Sequence, residues 1–522
     1  MTNASPSLAP SAAEPTPRSE QIDLTRNPSW DLPSNVKIAT LIATLMSLLL
    51  AALDQTIVST AGPAIQRDLH IEASLFAWIT TSYLVASVMM VPIYGKLSDL
   101  YGRRPILLTG IGIFLAGSVL CGLANSALFL IAARALQGLG AAALFTMAFA
   151  SVADLYAPME RARVQGLLGA VFGLSSVVGP LVGGLLTDTL GWRYVFFVNI
   201  PLGAIAVALI VLRMPALRPA LKRVPRIDIL GAIFLVLGIV PLLLALSLGR
   251  TALIPNELGY LWLSWQILGL FAMAIVAITL FITTELRVSD PLLDLRLFRN
   301  RTFAYGNAAL FVLGATFLAG FVFLPLFMVN VVGLSATSAG LTTTPLMLSL
   351  VASATFCGQM ASRTGRFKPL MLAGLILMIV AFGIMGFTLT TSSTHLQVTL
   401  KMMLVGASLG PVVSLYTLAI QNAVLPSQVG VATAAGSFFQ QMGSSVGLAL
   451  IGTIFATTFS DGLIAGMVTT TPDLAMKQAL TDAVAMTYRI GIGLALLGFI
   501  LTALLPEKRL RSGSDRPSFA AA

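Results

Sequence analysis

The chain has 522 residues, of which 57% are hydrophobic and only 10% charged, with a mean hydropathy of +0.91 and a formal net charge of +10. Soluble domains carry about 25% charged residues, so this composition excludes a soluble globular protein and points to one that crosses a membrane many times. In that setting the surplus of Lys and Arg belongs to loops that set orientation, and nucleic acid is not an expected partner.

Residues 1–34 are rich in Pro, Ser, Ala and Thr and lack the apolar core of a signal peptide. They read as a disordered cytosolic tail, leaving the first span to target the chain. Apolar runs of about 20 residues place spans near 37–60, 75–96, 105–124, 128–151, 164–187 and 194–212, then 227–248 and 262–284. Six more follow near 303–331, 338–360, 369–389, 398–421, 431–458 and 488–506. Six, two and six give fourteen spans, which puts both termini on one side. Of the 31 Lys and Arg, 24 fall in the tails and the loops on that side, six on the other (Arg67, Arg193, Arg250, Lys401, Lys477, Arg489), and Arg134 inside a span. By the positive-inside rule the termini are cytoplasmic. The expected fold is an all-α polytopic membrane protein. Its parts are a cytoplasmic tail 1–34, an N-terminal six-helix half 35–213, a basic linker with two extra spans 214–301, a C-terminal six-helix half 302–507 and a tail 508–522.

The first span carries Asp54, the clearest acid inside any span. Seventeen residues past Lys37, at about 1.5 Å each, it lies roughly 25 Å into the helix, in the outer half of the membrane. A lone carboxylate there costs roughly 2.5–3.5 kcal/mol unless it is protonated, paired or facing water. Two readings stand: a proton carrier whose affinity burial raises, or an acid that lines a wet vestibule or caps a broken helix before Gly62-Pro63. The surrounding string Asp54-Gln55-Thr56-Ile57-Val58-Ser59-Thr60-Ala61-Gly62-Pro63 resembles the first-helix signature of the fourteen-span drug:proton antiporters, the EmrB/QacA type. That resemblance implies proton coupling and cationic substrates at this aspartate.

The second span contributes Trp78 and Tyr83 as candidates for a substrate cavity and ends in Gly95-Lys96-Leu97-Ser98-Asp99-Leu100-Tyr101-Gly102-Arg103-Arg104-Pro105. Cations, a carboxylate and two glycines packed this closely must sit at a membrane face. The turn resembles the cytoplasmic loop that defines the major facilitator superfamily, which implies two six-helix halves, here with two inserted helices, and alternating access around a central site. Asp99 with Arg103 and Arg104 suits an ion pair or helix cap that locks this side in one state, with Gly95 and Gly102 shaping the turn. Plain topological anchoring accounts for some of the cations.

Arg134 is the second charge inside a span, followed by Gly138, Gly140, Ala141 and Ala142, small residues that allow close packing. The segment resembles the superfamily's fourth-span motif, whose arginine is implicated in proton transfer; the alternative is an arginine that snorkels to the membrane surface. Phe145 and Met147 on the same span are further cavity candidates. The fifth span carries Gly173, Gly179, Pro180, Gly183 and Gly184, which resembles the antiporter motif of this family. Pro180 removes one helix hydrogen bond and the glycines admit a neighbouring helix, so a kinked, tightly sealed contact is expected. The following Gly191-Trp192-Arg193 through Asn199-Ile200-Pro201 is similar to the same family.

The basic cluster Arg213 to Arg226 precedes the two extra spans, where anionic lipid headgroups could hold it. Between the spans at 338–360 and 369–389 lies a faint copy of the first turn, Gly358-Gln359-Met360-Ala361-Ser362-Arg363-Thr364-Gly365-Arg366, with Ser362 in place of Asp99. That repeat sets the second half in register with the first. Gln440 and Gln441 lie in a segment similar to the family's eleventh span, where Gln440 stands at a position that is arginine in many relatives. They would hydrogen-bond either a neutral part of the substrate or a neighbouring helix.

Two cysteines, Cys121 and Cys357, and two histidines, His70 and His395, suggest no disulfide framework, metal site or cofactor. No nucleotide-binding loop occurs, so a gradient must drive transport, and an isolated acid beside a helix cation favours protons over sodium. The resemblance implies a proton-coupled exporter of small lipophilic, cationic or neutral compounds. It would lie in the cell membrane and act as a monomer. A dedicated exporter of one endogenous product uses the same machinery, and a nutrient symporter is disfavoured by the Gly-Pro motif. An enzyme would need a catalytic cluster within the spans, and none is evident.

Overall fold

In a computed structural model, residues 28–71, 73–216, 228–250, 259–334, 336–425, 428–469, 471–507 and 510 are described. Residues 1–27 of the predicted N-terminal tail, most of the basic cluster Arg213 to Arg226 and nearly all of the C-terminal tail lie outside them; the end of the N-terminal tail is ordered, contrary to the expectation, with a 3-10 turn over Pro28–Asp31 and the first helix starting at Ser34. The first half comprises α1 (Ser34–Asp68), α2 (Ala73–Tyr101), α3 (Arg103–Gly122), α4 (Ala127–Leu155), α5 (Pro158–Thr189), α6 (Tyr194–Phe197) and α7 (Asn199–Arg213). Two helices follow, α8 (Ile229–Leu248) and α9 (Trp265–Arg287). The second half comprises α10 (Arg301–Val322), α11 (Leu324–Asn330), α12 (Ala336–Thr364), α13 (Lys368–Thr388), α14 (His395–Asn422), α15 (Val429–Thr469) and α16 (Pro472–Ala503).

Among the described residues thirteen helices are long and apolar enough to cross a membrane. With α10, which opens the second half, the count is that of the predicted fourteen. Polar residues start the helices where the hydropathy changes: Ser126 caps α4, Ser264 caps α9, and Thr394 with Gln397 forms a capping box on α14. Between α2 and α3 the chain reverses in one residue, Gly102, at φ +92°, a conformation that a side chain would strain.

Three elements depart from the predicted spans. The sixth span is broken at Val198 into α6 and α7, because Pro201 has no N–H to offer the Phe197 carbonyl. The segment 303–331 is likewise broken at Phe323, with a proline in the first turn of α11. Finally, α15 runs for 41 residues, roughly 60 Å, and α16 begins at Pro472 and not near 488. Both outlast a bilayer core of about 30 Å, since hydropathy marks where lipid begins and a helix can continue past that point through Thr, Ser and Asp.

The halves meet where α2 packs on α15 and where α5 packs on α12 and α14. These contacts lie at the end of the bundle that carries the charged turn, hereafter the turn end. The two extra helices pack on each other as a hairpin, and α8 touches α2 and α15. Most of the apolar surface of α9, including Leu268, Ile275, Val276 and Leu286, is exposed, as expected of a helix bathed in lipid.

Candidate functional site

Two buried polar clusters stand out in the first half, one deep in the bundle and one at the turn end. The deep cluster is centred on Asp54, which is fully buried. Its Oδ2 accepts from Arg134 at 2.6 Å, and its Oδ1 accepts from Gln137 Nε2 and from Asn199 Nδ2, each at 2.8 Å. One carboxylate thus receives three donors from two other helices, α4 and α7. Arg134 also donates to Gln137 Oε1 at 2.7 Å, and Asn199 donates to Ser118 Oγ of α3 at 2.9 Å.

Backbone features put these groups in place. Gly138 has no room for a side chain against the Tyr83 carbonyl, so α2 closes directly onto α4. The Tyr83 ring then lies 4.3 Å from the Arg134 guanidinium, a cation–π contact in a dry setting. The break before α7 turns Asn199 inward. Asp54 is therefore not an isolated acid: Arg134, predicted separately, is its ion-pair partner, so neither charge stands alone in hydrocarbon. Gln137 and Asn199 had no role in the sequence reading. Their signals were present, since Gln137 follows Arg134 by one helical turn and Asn199 is an amide in a span two residues before a proline.

The second cluster is built on Arg103, which is also fully buried. Its Nε donates to Asp154 Oδ2 of α4 at 2.7 Å, and its NH1 donates to Ser98 and Asp99. The first turn of α15 lies over this group. The Val431 N–H is set against Asp99, and a Cβ on Gly430 would fall on the Asp99 carboxylate and the Arg103 guanidinium. Arg104 does a different task, donating to the Val211 and Met214 carbonyls at the end of α7. Close by, Arg161 of α5 donates to the Ala153 carbonyl at 2.6 Å and to Gln421 of α14 at 3.3 Å, while Gln165 donates to the same Gln421 at 3.0 Å. Sequence reasoning passed over Asp154, Arg161 and Gln421. Asp154 fell just past the predicted end of its span, where an acid is unremarkable.

The fifth-span glycines divide. Gly173 packs against Val351 of α12 and Gly179 against Thr56 of α1, whose hydroxyl donates to the Ser175 carbonyl at 2.9 Å. Gly183 is buried beside Pro180, whereas Gly184 meets open space and seals nothing, contrary to the expectation for it. Of the cavity candidates, Asp54, Tyr83 and Met147 have no exposed surface, because α1, α2 and α4 close over them. Trp78, Phe145, Gln440 and Gln441 stay half-buried, and Phe145 stacks on Phe172 at 5.7 Å. At the opposite end of the bundle, Trp192 and Arg193 both donate to Asp68, holding its carboxyl below the usual carboxylate range. Among the described residues no group of three or more His, Cys, Asp or Glu could hold a metal ion.

The family model described as Major Facilitator Superfamily matches residues 44–448. The chain is 38% identical over 411 residues to the multidrug transporter protein MdtP of Bacillus subtilis, covering 78% of this chain and 74% of that protein. It is also 38% identical over 420 residues to multidrug resistance protein 3 of the same organism, covering 80% of each. Among solved structures it resembles the human organic anion transporter MFSD10 (TETRAN), with a TM-score of 0.62 at 16% identity over 90% of this chain and all of that one, a likeness of fold alone.

Proposed function

The chain belongs to the major facilitator superfamily and is a multi-pass membrane protein of that fold; on that premise we propose that it is a proton-coupled exporter of small lipophilic compounds, cationic or neutral. Relatives named as multidrug transporters support the substrate class. The bias of Lys and Arg supports a cell-membrane orientation with both termini cytoplasmic, and the single chain with two halves supports action as a monomer.

The observation that carries the reading is the Asp54–Arg134 pair, 2.6 Å apart and sealed from water. With Asp54 ionised, its carboxylate ties α1 to α4 and α7 through Arg134, Gln137 and Asn199. Protonation cancels the charge that Arg134 pairs with, turns one carboxylate oxygen into a donor and weakens the charge-assisted bonds that remain, so a proton arriving there changes which packing of these helices is preferred. A substrate that favours the unprotonated state is then exchanged for a proton by linkage. A lipophilic substrate binds among half-buried side chains such as Trp78, Phe145, Gln440 and Gln441.

The Asp99–Arg103–Asp154 cluster acts in this scheme as a latch on the cytoplasmic side. The N-terminus of α15, the positive end of that helix's dipole, lies on the Asp99 carboxylate. When the halves separate there, α15 withdraws and the cluster is left to water. The contacts of Gly173 with α12 and of Gly179 with α1 supply the tight packing expected of the antiporter motif.

The test is ethidium movement into or out of proteoliposomes under an imposed pH gradient, comparing the native chain with Asp54→Asn. Gradient-driven movement in the native protein that vanishes in the folded variant is the expected result. An Asp54→Asn protein that still accumulates ethidium against its gradient would overturn the role given to Asp54.

A further inference from the structure

The hairpin α8–α9 contributes nothing to either cluster above, yet its ends nearest the charged turn hold two buried carboxylates. Asp228 caps α8, its Oδ1 accepting from the Gly231 N–H at 2.8 Å. Glu285 lies in the last turn of α9, and its two oxygens accept from the backbone N–H groups of Leu292 at 3.1 Å and Leu293 at 3.4 Å. Glu285 thereby pins the strand of chain that leads from the hairpin into the second half. Only 7% of Asp228 and 3% of Glu285 is exposed.

Both carboxylates border Gly231. A Cβ on that glycine would run into Asp228 Oδ2 and lie 3.0 Å from Glu285 Oε1. Asp228 Oδ2 is buried and has no hydrogen-bond donor among the described residues. Among the described residues, the charged groups that act on Glu285 through space are Asp228 and Lys96. Lys96 is the second residue of the charged turn and is itself only 9% exposed. On the other neighbour, α15, the first turn carries no charge, and Arg287 on α9 points into solvent.

We propose that Asp228 and Glu285 together bind one proton, and that this proton sets how the α8–α9 hairpin sits against the charged turn. One ammonium can balance one carboxylate in a buried setting, but not two. With a single shared proton the group of Asp228, Glu285 and Lys96 is neutral, and the orphaned Asp228 Oδ2 gains the donor partner that it lacks. Loss of the proton to the cytosol leaves a net buried negative charge, which the hairpin relieves by letting its end into water. Because Asp228 starts α8 and Glu285 holds the chain that enters α10, that movement acts on the junction between the hairpin and both halves. The proton site stands independently of the coupling role given to Asp54.

Distance measurement between spin labels tests this in the full-length protein in lipid nanodiscs. Labels are placed on Thr109→Cys of α3 and Ile229→Cys of α8, both exposed positions, with buried Cys121 and Cys357 replaced by Ala. As pH is varied between about 4 and 9, the distance distribution should shift with a single midpoint. It should stay fixed across that range in Glu285→Gln and in Asp228→Asn, and should still shift in Asp54→Asn. A distribution that ignores pH in the native background would overturn the proposal. So would an unchanged midpoint in both carboxylate variants, or a response to sodium at constant pH in place of a response to protons.

Discussion

Between α2 and α3 the chain reverses at Gly102 with φ +92°, and between α12 and α13 it reverses at Gly365 with φ +67°. Seven residues before each reversal a glycine lies against a helix of the opposite half: Gly95 against Gly430 and Ala434 of α15, Gly358 against the Ala162 carbonyl of α5. The charges do not follow this symmetry. Arg103 is fully buried between Asp99 and Asp154, whereas Arg366 is 55% exposed and 3.8 Å from Glu507, which is 48% exposed. Contact between the halves requires close approach at both places, so the backbone solution recurs. A buried ion pair requires a second carboxylate to balance it and a helix end to cover it, and only the first turn has both.

The comparison can be broken most sharply at the glycines. Gly95→Val and Gly358→Val each place a side chain where another helix's backbone or Cβ already lies. Each should therefore reduce ethidium transport by about tenfold or more while the protein still inserts, since a small shift of one packed helix costs more than 1.4 kcal/mol. Loss at Gly95 alone, with Gly358→Val transporting normally, would show that the two contacts are not equivalent. A smaller effect is expected of Asp154→Asn. Arg103 keeps Asp99 but loses half its balancing charge, which should cost about 1–3 kcal/mol, seen as a lower melting temperature in detergent and slower transport. Arg366→Gln should do least. An exposed pair contributes about 0–1 kcal/mol, so melting and transport should both match the native chain, and a clear loss would mean that the second turn is a charge latch after all.

Much of this was legible along the chain because each part is local. Asp54 and Arg134 were visible as charges in apolar runs, and Gly102 as the pivot of a charged turn. Their pairing was not visible, because 80 residues separate them and either could have paired, snorkelled or faced water. Gln137 and Asn199 are unremarkable amides until Asp54 is placed between them. Gly184 looks the same as Gly179 in the motif, yet Gly179 meets Thr56 and Gly184 meets nothing, a difference set by which way each points on α5.

The sequence by itself determined that the chain spans a membrane repeatedly, roughly where, and with which family's turns. Insertion depends on the summed transfer energy of about 20 consecutive residues, and that sum can be read from any window of the chain. The tertiary structure alone decided which buried charge faces which, that α15 covers Asp99, that Asp154 completes the Arg103 cluster, and that Asp228 and Glu285 both border Gly231. Those are energies between groups distant in sequence, and they take a value only once the helices have packed.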